Sequence, residues 1–167
     1  MKLLVLSDSH SSLSFMRRCA ETVRPDGIIH LGDYYDDGEV LREEFPQPLF
    51  LQVPGNCDAY RTPPFVSSIL IRRLEGVEVY MTHGHLHGVK QGLGALLRDA
   101  RAANAGLVLY GHTHIPFCEQ MPDGLWVMNP GTCGYGGGTA GLVELGDGRV
   151  QSCRIVTESD LLSGKNF

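Results

Sequence analysis

The stretch LVLYGHTH, residues 107–114, sets an unbroken apolar run against a glycine and two histidines two apart. Leu107 to Tyr110 has the length and hydrophobicity of a strand buried on both faces. A plain polar turn would suffice to end it. If His112 and His114 instead hold a metal, other strand ends must bring partners of the same chemistry. Four do. LLVLS (3–7) runs into Asp8-Ser9-His10, and GIIHL (27–31) into Gly32-Asp33, with Asp36 three further on. LFLQV (49–53) is followed by Gly55-Asn56-Cys57-Asp58, and VEVYMT (77–82) by His83-Gly84-His85. In an α/β sheet the carboxyl ends of parallel strands converge on one crevice. Residues two apart on extended backbone point the same way, so Asp8 with His10, and His112 with His114, are each expected to address one point. The glycines are expected to let the backbone turn sharply and approach the ion.

Outward from these strand ends, residues 12–24 carry apolar side chains at helical spacing, with Ser12 or Ser14 as N-cap and Pro25 closing the helix. A shorter, more acidic helix is expected over 37–45 and a third, containing two glycines, over 91–104. Segments 67–73 and 77–82 flank Glu75-Gly76 as a hairpin. Segments 117–121 and 125–129 meet at Asp123-Gly124, and 141–145 and 149–156 at Asp147-Gly148, both tight-turn signals. Strand–helix alternation in the first half and hairpins in the second imply an α/β fold. Two mixed β-sheets are expected to pack face to face, flanked by helices. The last ten or so residues are expected to fray.

At 167 residues the chain is read as one domain, 1–167. A net charge of -5 gives no electrostatic footprint for nucleic acid or an anionic membrane, and it disfavours a nuclease. A nucleotide-sized substrate stays compatible where metal ions cancel charge. The five cysteines are odd in number with no CxxC, which points to reduced thiols and a cytoplasmic setting. The apolar run at the start is too short for a signal peptide or membrane span. Homo-oligomerisation is left open.

In order and spacing, the set DSH, GDYYD, GNCD, THGH and GHTH resembles the signature of calcineurin-like metallophosphoesterases. It is most similar to their small bacterial and archaeal phosphodiesterase branch, over residues 1 to about 155. The resemblance implies a four-layer α/β/β/α sandwich and two divalent transition-metal ions per chain. Asp8, His10, Asp33 and His114 would hold one ion, and Asp33, Asn56, His83 and His112 the other, with Asp33 bridging. Nitrogen and oxygen ligands without thiolate favour Mn, with Ni, Fe, Co or Zn as alternatives, over Mg or Ca. The implied reaction is hydrolysis of a small phosphate ester, a metal-bridging hydroxide attacking phosphorus in line.

Cys57 departs from the pattern. Much of the superfamily has a histidine there, regarded as the general acid, and the thiol tilts the expectation from monoesters toward diesters. Cys57, Asp58 and His85 are the catalytic candidates, with Asp58 and Asp36 also candidates for orienting ligands. His30 reads as a core histidine and His87 as solvated. Asn129-Pro130-Gly131-Thr132 resembles a loop that borders this site, though NPG alone is ordinary turn chemistry. CGYGGG (133–138) lacks the lysine and following helix of a phosphate loop and reads as a flexible connection, with Tyr135 toward substrate. The alternatives are a broad-range phosphomonoesterase and, from another class, a non-catalytic scaffold such as the retromer subunit of this fold. The complete ligand set weighs against the scaffold, because buried carboxylates and imidazoles are costly without ions.

Overall fold

The computed structural model describes residues 1–60, 62–134, 136–163 and 167. In chain order the elements are β1 (Lys2–Leu6), α1 (Leu13–Val23), β2 (Gly27–His30), α2 (Tyr35–Glu44), β3 (Leu49–Gln52), β4 (Ile69–Leu74) and β5 (Val77–Thr82). Then come α3 (Gly94–Ala102), β6 (Leu107–Leu109), β7 (Phe117–Gln120), β8 (Trp126–Asn129), β9 (Thr139–Gly146), β10 (Arg149–Thr157) and α4 (Glu158–Leu162). One five-stranded sheet has the order β10-β9-β1-β2-β3, the other β4-β5-β6-β8-β7. Strands β1, β2 and β3 are parallel, as are β5, β6 and β8, and the hairpin partners run antiparallel.

Pleat alternation distributes the apolar runs between layers. Leu3, Val5, Ile29 and Leu31 of the first sheet meet Val79, Met81, Leu107, Leu109 and Met128 of the second. The opposite faces carry Leu4, Leu6 and Ile28 under α1, and Tyr80, Val108 and Val127 under α3. The result is the expected helix/sheet/sheet/helix sandwich. Helix α1 buries Phe15, Met16, Cys19, Ala20 and Val23 on one stripe and stops at Arg24, whose φ of 48° is left-handed. Ser12 occupies the N-cap position without a side-chain hydrogen bond to the helix.

Several boundaries differ from the expectations; α2, for one, begins two residues early, at Tyr35. Helix α3 begins only at Gly94, because Gly92 has φ of 140°, which no helical residue adopts. The C-terminal segment does not fray at 158–162. Thr157 Oγ1 accepts from Asp160 N, the Asp160 carboxylate accepts from Thr157 N, and Leu161 is buried. All three hairpin turns lie at one end of the sandwich. The ends of β1, β2, β3, β5 and β6 open at the other.

Candidate metal centre

The five strand ends deliver their polar residues to one place, though not by the extended backbone expected of them. Asp8, His10, Asp33, His112 and His114 all have left-handed φ, between 44° and 68°. Left-handed backbone costs a non-glycine residue about 1–2 kcal/mol, and such residues cluster where function over-determines geometry. The chain therefore turns sharply soon after β1, β2 and β6 end. Gly32 and Gly84 take the positive φ of a sharp turn, and glycines here also admit close approach. A β-carbon on Gly111 would overlap Ser7 Oγ, and one on Gly32, where φ is 93°, would overlap the backbone of Gly55. They let neighbouring loops touch one another.

Within this floor, Asp8, His10, Asp33 and His114 each offer a ligand atom, and these atoms all lie within 4.8 Å of one another. Asp8 is fully buried. Its Oδ2 accepts from Ser7 Oγ at 2.6 Å and His112 N at 3.0 Å, while Oδ1 makes no hydrogen bond among the described residues. Burial, with Asp33 nearby, pushes the Asp8 carboxyl up to about 7 despite those donors.

Beside this group, His83 Nδ1 lies 2.7 Å from Leu31 O. A carbonyl oxygen only accepts, so Nδ1 carries the N–H. Burial lowers the His83 pKa to about 4, so at neutral pH Nε2 is a bare acceptor. It faces Asn56 Oδ1 at 3.2 Å, Asp33 Oδ1 at 3.5 Å and Asp8 Oδ1 at 3.9 Å. Four acceptor atoms thus crowd together, a convergence that a cation between them would stabilise. The His112 ring lies 5.1 Å from that of His83. Burial and the Lys90 ammonium hold His112 and His114 below the usual imidazole range, the neutral form that ligates metals. The donor set of Asp8, His10, Asp33 and His114 fits a divalent ion.

The remaining sequence candidates separate. Cys57 is exposed at the rim; its N–H donates to Asp33 Oδ1 at 2.9 Å. Burial of the sulfur and the Asp33 charge push its thiol up to about 11. Asp58 is fully buried and accepts from the backbone N–H groups of Tyr34, Tyr35 and Gly55 at 2.8–2.9 Å. Its carboxylate therefore clamps the Asp33 loop to the Asn56 loop. His85 is half-buried, its ring 5.4 Å from that of His83, and burial lowers its pKa. His30 is a core histidine as expected, fully buried, with Nε2 3.3 Å from Ser9 Oγ.

Other expectations need correcting. His87 is buried rather than solvated, with Nε2 3.1 Å from Tyr80 Oη, because the turn after His85 folds it back onto β5. Asp36 is exposed, and its neighbour Asp37 reaches the DSH loop instead, accepting from Ser9 Oγ at 2.7 Å and Ser11 N at 2.8 Å. The start of the CGYGGG segment is packed: Cys133 is buried and its N–H donates to Ser7 O at 3.1 Å. Tyr135 lies outside the described residues. The NPG segment does more than turn. Asn129 Nδ2 donates to Gly111 O at 2.8 Å and Thr113 Oγ1 at 3.0 Å, and Thr132 Oγ1 donates to Asp8 O at 2.8 Å. Asn129 and Thr132 thereby brace two ligand loops. Burial of the strand leading into Asn129 was the signal that could have marked it.

A chain with this fold and this floor of carboxylates and imidazoles is of the phosphoesterase type, and the comparisons agree. Residues 1–147 match the calcineurin-like phosphoesterase superfamily domain, and the chain belongs to that superfamily. It is 31% identical over 134 residues to a probable metallophosphoesterase of Mycoplasma pneumoniae, covering 78% of each chain. It is 29% identical over 155 residues to the phosphodiesterase YfcE of Escherichia coli, covering 79% of each. Vps29 of Chaetomium thermophilum shares the fold at 16% identity, with a TM-score of 0.71 over 93% of this chain and 97% of that one. No helix among the described residues is long and apolar enough to cross a membrane.

Proposed function

We propose that the protein hydrolyses phosphate esters, diesters in preference to monoesters, at a centre of two divalent transition-metal ions, Mn being favoured. The observation that carries this reading is the convergence of four acceptor atoms, His83 Nε2, Asn56 Oδ1, Asp33 Oδ1 and Asp8 Oδ1. Asp8, His10, Asp33 and His114 would hold one ion and Asp33, Asn56, His83 and His112 the other. Such a pair supplies Lewis-acid neutralisation of phosphoryl oxygens and lowers the pKa of water toward neutrality. The protein's own groups then set selectivity.

Cys57 stands at the rim where a leaving group would exit. With its pKa raised to about 11, the thiol keeps its proton at neutral pH but is a feeble acid. Ester groups that depart unaided are therefore favoured, aryl over alkyl. Asp58 acts by positioning, through the backbone it clamps, and His85 faces the substrate side of the floor. A recess of about 480 Å³ beside Thr113, lined by Val89, Lys90, Leu93, Tyr110, Ile115 and Phe117, offers a second ester arm an apolar wall and a cation. Lack of a nucleic-acid footprint and reduced cysteines suit a small substrate in the cytoplasm.

The test is chelation of the full-length protein followed by Mn²⁺, Ni²⁺ or Mg²⁺ and assays on aryl diesters, aryl monoesters and alkyl monoesters. Mn²⁺ or Ni²⁺ should restore more activity than Mg²⁺, with diesters ahead. Cys57→His should raise alkyl monoester kcat/KM more than the aryl values. Monoesters turned over as well as diesters would favour the broad monoesterase, and bound ions without hydrolysis of any ester would favour the scaffold.

A further inference from the structure

Two cysteines outside the candidate centre meet across the sandwich. β7 and β10 are edge strands of different sheets and pack against each other. Cys118 on β7 and Cys153 on β10 both flank the apolar layer between the sheets, half-buried. Their Sγ atoms are 3.1 Å apart, inside van der Waals contact for two sulfurs. That is about 1 Å more than a disulfide bond of ~2.05 Å. The other thiols are placed differently: Cys19 and Cys133 are buried and Cys57 is exposed beside the candidate centre.

We propose that Cys118 and Cys153 form an oxidation site, which a hydroperoxide converts into an intramolecular disulfide joining the edges of the two sheets. In the first step the thiolate of one cysteine attacks a peroxide oxygen. An S–O bond forms, the O–O bond breaks, and the sulfur becomes a sulfenic acid as the peroxide is reduced to water or alcohol. In the second step the other sulfur attacks the sulfenic sulfur. The S–S bond forms, the S–O bond breaks, and water leaves with the proton of the attacking thiol. Two thiols and one hydroperoxide thus give one disulfide, one water and one water or alcohol. Because the sulfurs are already in contact, the second step needs little chain movement, and it competes well with further oxidation to sulfinic acid. Excess thiol reverses it, so the pair is reduced in a reducing compartment and linked under peroxide. Cys118 lies four residues after His114, so the link ties the base of the GHTH loop to the opposite sheet.

The test uses the full-length chain carrying Cys57→Ser, which removes the exposed thiol as a competitor and leaves four of the five cysteines. After treatment with hydrogen peroxide, non-reducing peptide mapping should find Cys118 joined to Cys153 within one chain. Free thiols should fall from four to two, and Tm should rise by roughly 5–10 °C, reversibly with dithiothreitol. Adding Cys118→Ala or Cys153→Ala should leave the reduced Tm nearly unchanged and abolish the rise. Complete alkylation of both cysteines after peroxide, sulfinic acid without a link, or an equal Tm rise in the alanine variants would each overturn the proposal. If an alanine variant does not fold, the peptide map of the parent decides alone.

Discussion

Between the sheets, Leu3, Val5, Ile29, Leu107 and Leu109 form the centre of an apolar layer, each of them fully buried. Within three residues of the strand ends, Asp8, Asp33 and His83 are buried almost as deeply, and there acceptors crowd acceptors, Asp8 and Asp33 on left-handed backbone. In the apolar layer, local preference and packing agree, which is how a sequence specifies a fold. At the strand ends both are violated together, in a space a few ångströms across. Such costs persist where something absent from the bare chain offsets them, and a pair of cations would do so.

If the two regions differ in this way, substitutions should separate them. The largest effect is expected at the shared carboxylate. Asp33→Asn should lower kcat/KM by about 10³-fold or more, since groups that merely orient ligands already cost 10–100-fold. Steady-state kinetics with saturating Mn²⁺ checks this, and a loss below tenfold in a folded variant would show that Asp33 is not shared. In the apolar layer, Leu109→Ala should cost about 2–5 kcal/mol of stability by urea unfolding. Its kcat/KM, corrected for folded fraction, should stay within threefold of wild type; a large loss would mean that the layers are not separable.

A pH experiment sharpens the contrast from the side of a core polar group. Burial lowers the His30 pKa to about 4, against about 6.5 in an unfolded chain. Between those values the unfolded state binds the extra proton, so His30 contributes stability that is present above pH 6.5 and lost as pH falls toward 4. The total is about 3 kcal/mol. Asp8, with its pKa raised to about 7, acts in the opposite sense: the metal-free fold gains from its proton at low pH and loses that gain as pH rises. The difference between metal-free wild type and His30→Gln isolates the first effect. It should shrink by about that amount from pH 7 to pH 4.5, and a constant difference would contradict it.

Smaller effects are expected where only positioning is lost. Asn129→Ala should reduce kcat/KM by about 10–100-fold, because it removes the donors that hold Gly111 O and Thr113. Rescue by a residue that restores the amide would separate this from general loosening. Asp36→Asn, on an exposed side chain, should change activity by less than about threefold. A larger loss there would mean that Asp36 and not Asp37 supports the DSH loop.

The same contrast explains what the sequence disclosed. Continuous apolar runs and period-two alternation reveal buried strands, so β1, β2, β3 and β6 and the two-sheet architecture were legible to within a residue or two. Candidate ligands were legible as well, because carboxylate and imidazole at successive strand ends is an unusual coincidence. Their left-handed backbone was not, since nothing in DSH or GHTH distinguishes an extended pair from a sharp turn. The choice between Asp36 and Asp37 turned on the helical phase of a segment whose start was off by two residues. Bracing by Asn129 and Thr132 depends on contacts between separate loops, 16–18 residues apart for Asn129 and 124 apart for Thr132 with Asp8. The Cys118–Cys153 contact is invisible for the same reason, because it is made between sheets.

The most direct test of the central claim is the number of ions the centre holds. Chelated, full-length protein titrated with Mn²⁺ in a calorimeter, with metal content then read by elemental analysis, should bind two ions per chain. Asp33→Asn should bind fewer than two, and Tm should rise with occupancy. Full ester hydrolysis by protein that holds less than a tenth of an ion per chain after chelation would contradict a two-ion centre outright.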